Sequence, residues 1–298
     1  MLLRVGCFIE LTKLYKEKLV EYNYVIIITH KTMRNIIVAF SSTFLACALQ
    51  LSCTSSVENT IKIQLTKQIK PAGKTIAERF EVPEGYYPTS LASNSFGEYL
   101  RNLPLKPIDA SVHLFDGRIK ANHQVYCSVV DQEIDPVDLQ QCADAVMRLR
   151  GEYLFAQKKM DAIKFNFLSD GKPRYFKDYA KGDYSYKKFR AYMKYIFSYA
   201  NTASLKKELT PVNDIQNIEV GDVFIQSGNP FGHAVIVVNL IENKQGEKKM
   251  MLAQSYMPAQ ETQILVNRND NNSPWFAVKT GNLLTPEWEF HSSDLRRF

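Results

Sequence analysis

Gly221-Asp222-Val223-Phe224-Ile225-Gln226-Ser227-Gly228, then Asn229-Pro230-Phe231-Gly232, then His233-Ala234-Val235-Ile236-Val237-Val238 is the stretch that decides the fold. Val223 to Ile225 is a β-branched and aromatic run, and Ala234 to Val238 is another, so each reads as a strand. Gly228, Asn229, Pro230 and Gly232 are turn formers, and a turn between two such runs makes a hairpin. One histidine, His233, opens the second strand. An imidazole at a strand end is held by a rigid element and faces a loop, which suits catalysis. A core hairpin whose histidine only caps a turn explains the same residues.

The chain on either side supplies partners for this hairpin. Downstream, Met250 to Gln260 reads as another strand leaving into a loop. Gln254 and Ser255 are polar residues in an apolar strand, placed to orient an imidazole on the neighbouring strand or to cap the strand end. Upstream, Asp135-Pro136 is a helix-start signal, and the spacing predicts a helix over 136–157. A helix start stabilises a thiolate. Counted from Pro136, however, Cys142 lies two turns in, and Cys142, Val146, Leu149 and Tyr153 form the i, i+4, i+7, i+11 stripe of a buried face. The residues alone therefore place Cys142 in the core.

Farther out, residues 112–130 read as a hairpin, with His113 and His123 as surface or strand histidines because no ligand spacing accompanies them. Residues 163–167 alternate like a strand, and 186–200 like an amphipathic helix. The tyrosines and lysines between 175 and 199 suit stacking on sugars or bases, and equally suit a helix packed on a sheet. Residues 96–103 and 204–209 are short helices, ended by Pro104 and Pro211. Pro274-Trp275-Phe276 marks one more strand or corner. Separate runs of strands and helices predict one α+β domain over 78–298. Its central mixed or antiparallel sheet is expected from segments 112–130, 163–167, 221–238 and 250–266, with helices 136–157 and 186–200 packed on it.

The 298 residues are 45% hydrophobic and 23% charged, with 17 Phe and 16 Tyr, ample for a core. Net charge is +6. Residues 1–52 hold six basic and three acidic residues, so the remainder carries 31 against 28, a net of +3. That balance argues against nucleic acid as a partner. No zinc spacing, P-loop or GxGxxG is present, so neither a metal nor another cofactor is expected.

The N-terminus reads as an address. Met33-Arg34-Asn35 is a basic start, Ile36 to Phe40 opens a short apolar core, and a small residue precedes cysteine at Ser52-Cys53. Residues 1–53 are thus an export signal, with Met33 the expected start and 1–32 an upstream extension. Thr54 to Ala77 reads as a polar tether. The small-residue-then-cysteine ending resembles a bacterial lipoprotein signal, which implies lipidation of Cys53, with Cys47 as the rival. The protein is then expected in the cell envelope, on the membrane through a lipid anchor. Processing at Cys53 leaves two thiols, Cys127 and Cys142, which in an exported chain either pair as a disulfide or divide into a nucleophile and a core residue.

Gln141-Cys142-Ala143-Asp144, Gly221-Asp222-Val223-Phe224 and Gly232-His233-Ala234-Val235-Ile236, in that order, resemble the papain-like cell-wall cysteine peptidases and amidases of the CHAP and NlpC/P60 groups. Phe96-Gly97-Glu98-Tyr99-Leu100-Arg101 and Leu252-Ala253-Gln254-Ser255-Tyr256-Met257-Pro258 also resemble a family of bacterial lipoproteins with no established activity, over nearly all of 80–298. The first resemblance implies a papain-like α+β fold. It makes Cys142 the nucleophile, His233 the general base and Gln254 the residue that holds the ring, with Gln141 supporting the oxyanion and Ser255 the site. It implies a lipid-anchored cysteine hydrolase or amidase acting on peptidoglycan peptides or related amides. The alternative is an inactive binding module that holds a cell-wall peptide or glycan.

Overall fold

The structure is a computed structural model that describes residues 68–228 and 231–298. The export signal, Cys53 and residues 54–67 of the expected tether lie outside the described residues.

The hairpin is the centre of the sheet. Strand β6 (Val223–Gln226) pairs antiparallel with β7 (His233–Asn243), Gln226 opposite His233 and Val223 opposite Ile236. β7 is eleven residues long, and its first nine are buried. A strand covered on both faces has no solvent side, which is why it reads as a continuous apolar run rather than an alternation. Strand β8 (Lys248–Gln254) lies along its other side and β1 (Tyr86–Pro88) along its far end. Beyond β8 come β9 (Gln263–Leu265) and then β2 (Tyr126–Val129). Beyond β6 come β13 (Leu295–Arg297) and β5 (Thr210–Pro211), and β10 (Phe276–Ala277) joins β8.

Six helices are described: α1 (Ile76–Arg79), α2 (Phe96–Arg101), α3 (Cys142–Ala156), α4 (Phe176–Ala180), α5 (Tyr186–Phe197) and α6 (Thr202–Glu208). Helix α3 packs against β7 and α5, and eleven of its fifteen residues are buried. It begins six residues later than Pro136. Val137, Leu139 and Gln141 each donate to a carbonyl two residues back, which is not a helical pattern. The helix opens where the Gln141 N–H reaches the Asp144 carboxylate at 3.1 Å, half of a capping box. Cys142 is therefore the first helical residue, not one two turns in.

The fold departs from the papain-like α+β expectation. The nine-stranded sheet is antiparallel at every pairing, and two more two-stranded ribbons are antiparallel as well, so the molecule is a sheet-rich, mostly antiparallel fold with six helices. The resemblance rested on three short motifs, and none of them carries strand order. Segment 163–167 also leaves the main sheet. Its strand β3 (Lys164–Asn166) pairs only with β4 (Pro173–Tyr175), in a ribbon that packs against α6 through β3 and α4 through β4. The C-terminal region, expected to hold one strand or corner, adds β10, the ribbon β11 (Asn282–Leu284) with β12 (Glu289–His291), and β13. Residues 68–77, expected in the tether, belong to the fold. Ile69 bridges Phe80, Ile69 and Ile76 are buried, and Thr75 caps α1. No described helix is long and apolar enough to cross a membrane.

Candidate functional site

The sheet brings the start of α3 to the start of β7. The Cys142 thiol donates to the carbonyl of Gly232 at 3.8 Å, and the backbone N–H of Ala234 faces the same sulfur. The thiol thus meets the strand on both sides of His233, although ninety positions separate it from Gly232. Gly232 has to be glycine. An ideal Cβ there would stand 2.2 Å from the Gln226 carbonyl oxygen and 2.6 Å from Thr202 Oγ1.

The imidazole is fixed from the other side. His233 Nε2 lies 2.8 Å from Gln254 Oε1, and Gln254 Nε2 donates to Glu287 Oε2 at 2.6 Å. Lys120 Nζ donates to the same carboxylate oxygen at 2.8 Å and to Gln260 Oε1 at 3.1 Å. A carboxylate only accepts, so Gln254 must turn its amide nitrogen toward Glu287 and its oxygen toward the ring. The ring must then donate from Nε2. Burial holds the His233 pKa down to about 4, with the Gln254 hydrogen bond opposing and Lys120 adding to the fall. A neutral imidazole has one N–H, so Nδ1 carries the lone pair. Nδ1 is buried and has no hydrogen-bond partner. Three rings box the imidazole, with centroids 5.0 Å away for Tyr256, 5.3 Å for Trp288 and 5.8 Å for Phe290.

The thiol is neutral as well. Burial pushes the Cys142 pKa up to about 11, the nearby Asp144 adds to the rise, and the N–H groups of Ala143 and Ala234 oppose it. Asp144 itself is pushed up to about 8 by burial, against the N–H of Gln141. The helix start places N–H groups at the sulfur, yet desolvation outweighs them. Cys142 is 5% exposed and His233 0%, so both residues are closed off from solvent in this conformation.

The remaining residues expected at the site lie around it in other roles. Gln141 gives its amide N–H to Asp138 Oδ1 at 3.0 Å, and that oxygen also accepts from Ala259 N–H at 2.7 Å. Ser255 donates to the carbonyls of Gln260 (2.7 Å) and Gln140 (3.3 Å), tying the β8 exit to the segment that enters α3. Its bonds do not reach the imidazole. Cys127 and Cys142 are both free, each donating to a different backbone carbonyl, so they form no disulfide. Sequence reasoning missed Glu287 and Lys120. Glu287 follows Pro286 in a tail with no strand pattern of its own, and Lys120 looks like any surface lysine until its 6% exposure is seen.

No curated protein and no solved structure matches the chain. A family model described as "Domain of unknown function (4846)" matches residues 76–184 and 169–297, two overlapping stretches that take in nearly all the described residues and every residue of the thiol site. On that coverage, the chain belongs to the family of the domain of unknown function 4846.

Proposed function

We propose that the protein is a cysteine hydrolase or amidase tethered at the cell envelope by a lipid on Cys53, with peptidoglycan peptides or related amides as substrates. One observation carries this reading: a thiol at a helix start meets the strand on both sides of His233, whose Nε2 is committed through Gln254 and Glu287 and whose Nδ1 has no hydrogen-bond partner among the described residues. In the reaction, Cys142 Sγ bonds to the amide carbonyl carbon as its proton passes to His233 Nδ1. The C–N bond then breaks, and His233 returns that proton to the leaving amine. Water cleaves the resulting thioester by the same route, giving a free acid and restoring the thiol. A neutral pair suits this order, since the proton moves during attack and not before it. Substrate entry requires the buried site to open, as lid and loop motions do in other enzymes.

The burial of both groups favours a second reading, a binding module of the same fold that retains a peptide or glycan without turnover. Purified cell-wall fragments incubated with the protein separate the two. Release of new amines or carboxylates, abolished by Cys142→Ala, supports the hydrolase. Retention of fragments without release, unchanged by Cys142→Ala, refutes it. Loss of lipid labelling in Cys53→Ala tests the tether.

A further inference from the structure

Two stretches singled out in the sequence, Phe96 to Arg101 and Gly221-Asp222, take no part in the thiol site. They meet around Arg150, eight residues beyond Cys142 on α3. Its guanidinium carbon stands 4.9 Å from the ring centroid of Phe96, 5.2 Å from Phe298 and 5.4 Å from Tyr153. Gly221 makes that enclosure possible. Its φ is +104°, and an ideal Cβ there would press to 2.9 Å from the Phe96 ring.

Arg150 differs from the other arginines. Every other described arginine that is not exposed spends N–H groups on acceptors. Arg101 bonds Asn239 and Thr89, Arg148 bonds Glu152 and Gln140, and Arg297 holds Asp222 and Glu219. Arg150 makes no hydrogen bond or ion pair among the described residues. Aromatic rings cover its planar group, but its donors along the edge are unspent.

A cavity of about 480 Å³ opens beside it. Two of the three acids in its wall are already matched. Arg297 binds Asp222 and Glu219, while Glu242 stands opposite Lys248 in the β7–β8 register and the Lys248 ammonium donates to the Gln216 carbonyl. Arg150 is the one guanidinium in the wall without an acceptor among the described residues, and partial burial lowers its pKa from the ordinary value. An oxyanion would relieve that cost and accept two parallel bonds from the fork.

We propose that this cavity binds a small ligand carrying a carboxylate or phosphate, gripped by the edge of Arg150 and oriented by the surrounding rings. The site does not depend on cysteine chemistry, so Cys142→Ala protein binds as the wild type does, and loss of the hydrolase reading leaves it standing.

The test is titration of the full chain with sodium acetate or inorganic phosphate, at constant ionic strength made up with chloride. NMR follows the arginine Nε–Hε signals, and the signal absent from Arg150→Lys is that of Arg150. A saturable shift of that signal is expected, with affinity about tenfold or more weaker in Arg150→Lys, read from neighbouring backbone amides, and absent in Arg150→Met. Saturation by acetate alone assigns a carboxylate ligand, by phosphate alone a phosphate ligand, and by both their shared oxyanion. If neither anion shifts the wild-type signal saturably, the proposal fails, whether or not the variants fold. It fails also if binding survives Arg150→Met.

Discussion

Cys127 and Cys142 are two inward-facing thiols in one molecule, and what separates them is their neighbours. Each donates to a backbone carbonyl, Cys127 to Ile264 at 3.7 Å and Cys142 to Gly232 at 3.8 Å. Burial pushes the first up to about 12 and the second up to about 11. Cys127 stands in β2 where the register with β9 shifts. The charge facing it is Arg79, whose N–H groups are largely committed to backbone carbonyls. Its N–H groups go to Gly73 O at 2.8 Å and 2.5 Å and to Lys106 O at 2.7 Å. Cys142 instead meets the backbone on either side of His233, a residue whose Nδ1 has no hydrogen-bond partner among the described residues. Burial and thiol pKa are therefore poor guides to chemistry here. The hydrogen-bonding capacity left over in the neighbour tells the two apart.

The sharpest way to break this contrast is to delete each sulfur. Cys142→Ala is expected to remove hydrolysis of cell-wall fragments by a factor of roughly 10⁴ or more, and Cys127→Ala to leave it within roughly twofold while the fold tolerates both. Equal losses would erase the distinction. His233→Ala comes next, with kcat down roughly 10²- to 10⁴-fold and alkylation of Cys142 by iodoacetamide slowed across neutral pH. The matching change beside Cys127, Arg79→Met, strands the carbonyls of Gly73 and Lys106. It should lower the urea midpoint by an amount worth about 3 kcal/mol without changing kcat per folded molecule. Glu287→Leu probes the outer link of the ring. Without the carboxylate, Gln254 is free to turn over, and kcat is expected to fall roughly 10- to 100-fold, with KM little changed. An unchanged kcat would mean that the Gln254 amide needs no such anchor.

The β6–β7 hairpin was legible because its signals are local: β-branched runs, turn residues and one histidine within eighteen positions. The start of α3 was not. Asp135-Pro136 is a good start signal, and only the succession of tight turns from Val137 to Gln141 shows that the chain declines it. That six-residue error had a chemical consequence, since it moved Cys142 from the first helical residue to two turns in. Gln254 could be picked out because a polar residue at the end of an apolar strand stands out. Glu287 and Lys120 could not, since each acquires its meaning from a contact more than thirty positions away. Sheet membership failed at 163–167 for a related reason. Alternation reports that a segment is a strand but not which sheet it joins.

The gentlest test is pH, because the two thiol regions differ in what titrates beside them. His233 is held at about 4 when folded against 6.5 when free, so from pH 6.5 down to 4 the unfolded chain takes a proton that the folded one refuses. Stability contributed by this group falls as pH drops through that window. Asp144 stands at about 8 when folded against 3.8 when free, so between those values the folded chain keeps a proton that the unfolded one has lost. Stability contributed by Asp144 therefore falls as pH rises from 4 to 8. From pH 4 to 6.5 the two slopes oppose, and above 6.5 only that of Asp144 remains. Urea unfolding of Asp144→Asn and wild type at pH 5, 6.5 and 8 should diverge in favour of the variant by about 1 kcal/mol per pH unit. Cys127→Ala should run parallel to wild type throughout. Parallel curves for Asp144→Asn would mean that the carboxyl at the head of α3 is ionised in the folded state, and a negative charge would then sit beside the Cys142 sulfur, raising the cost of moving its proton to the imidazole during attack.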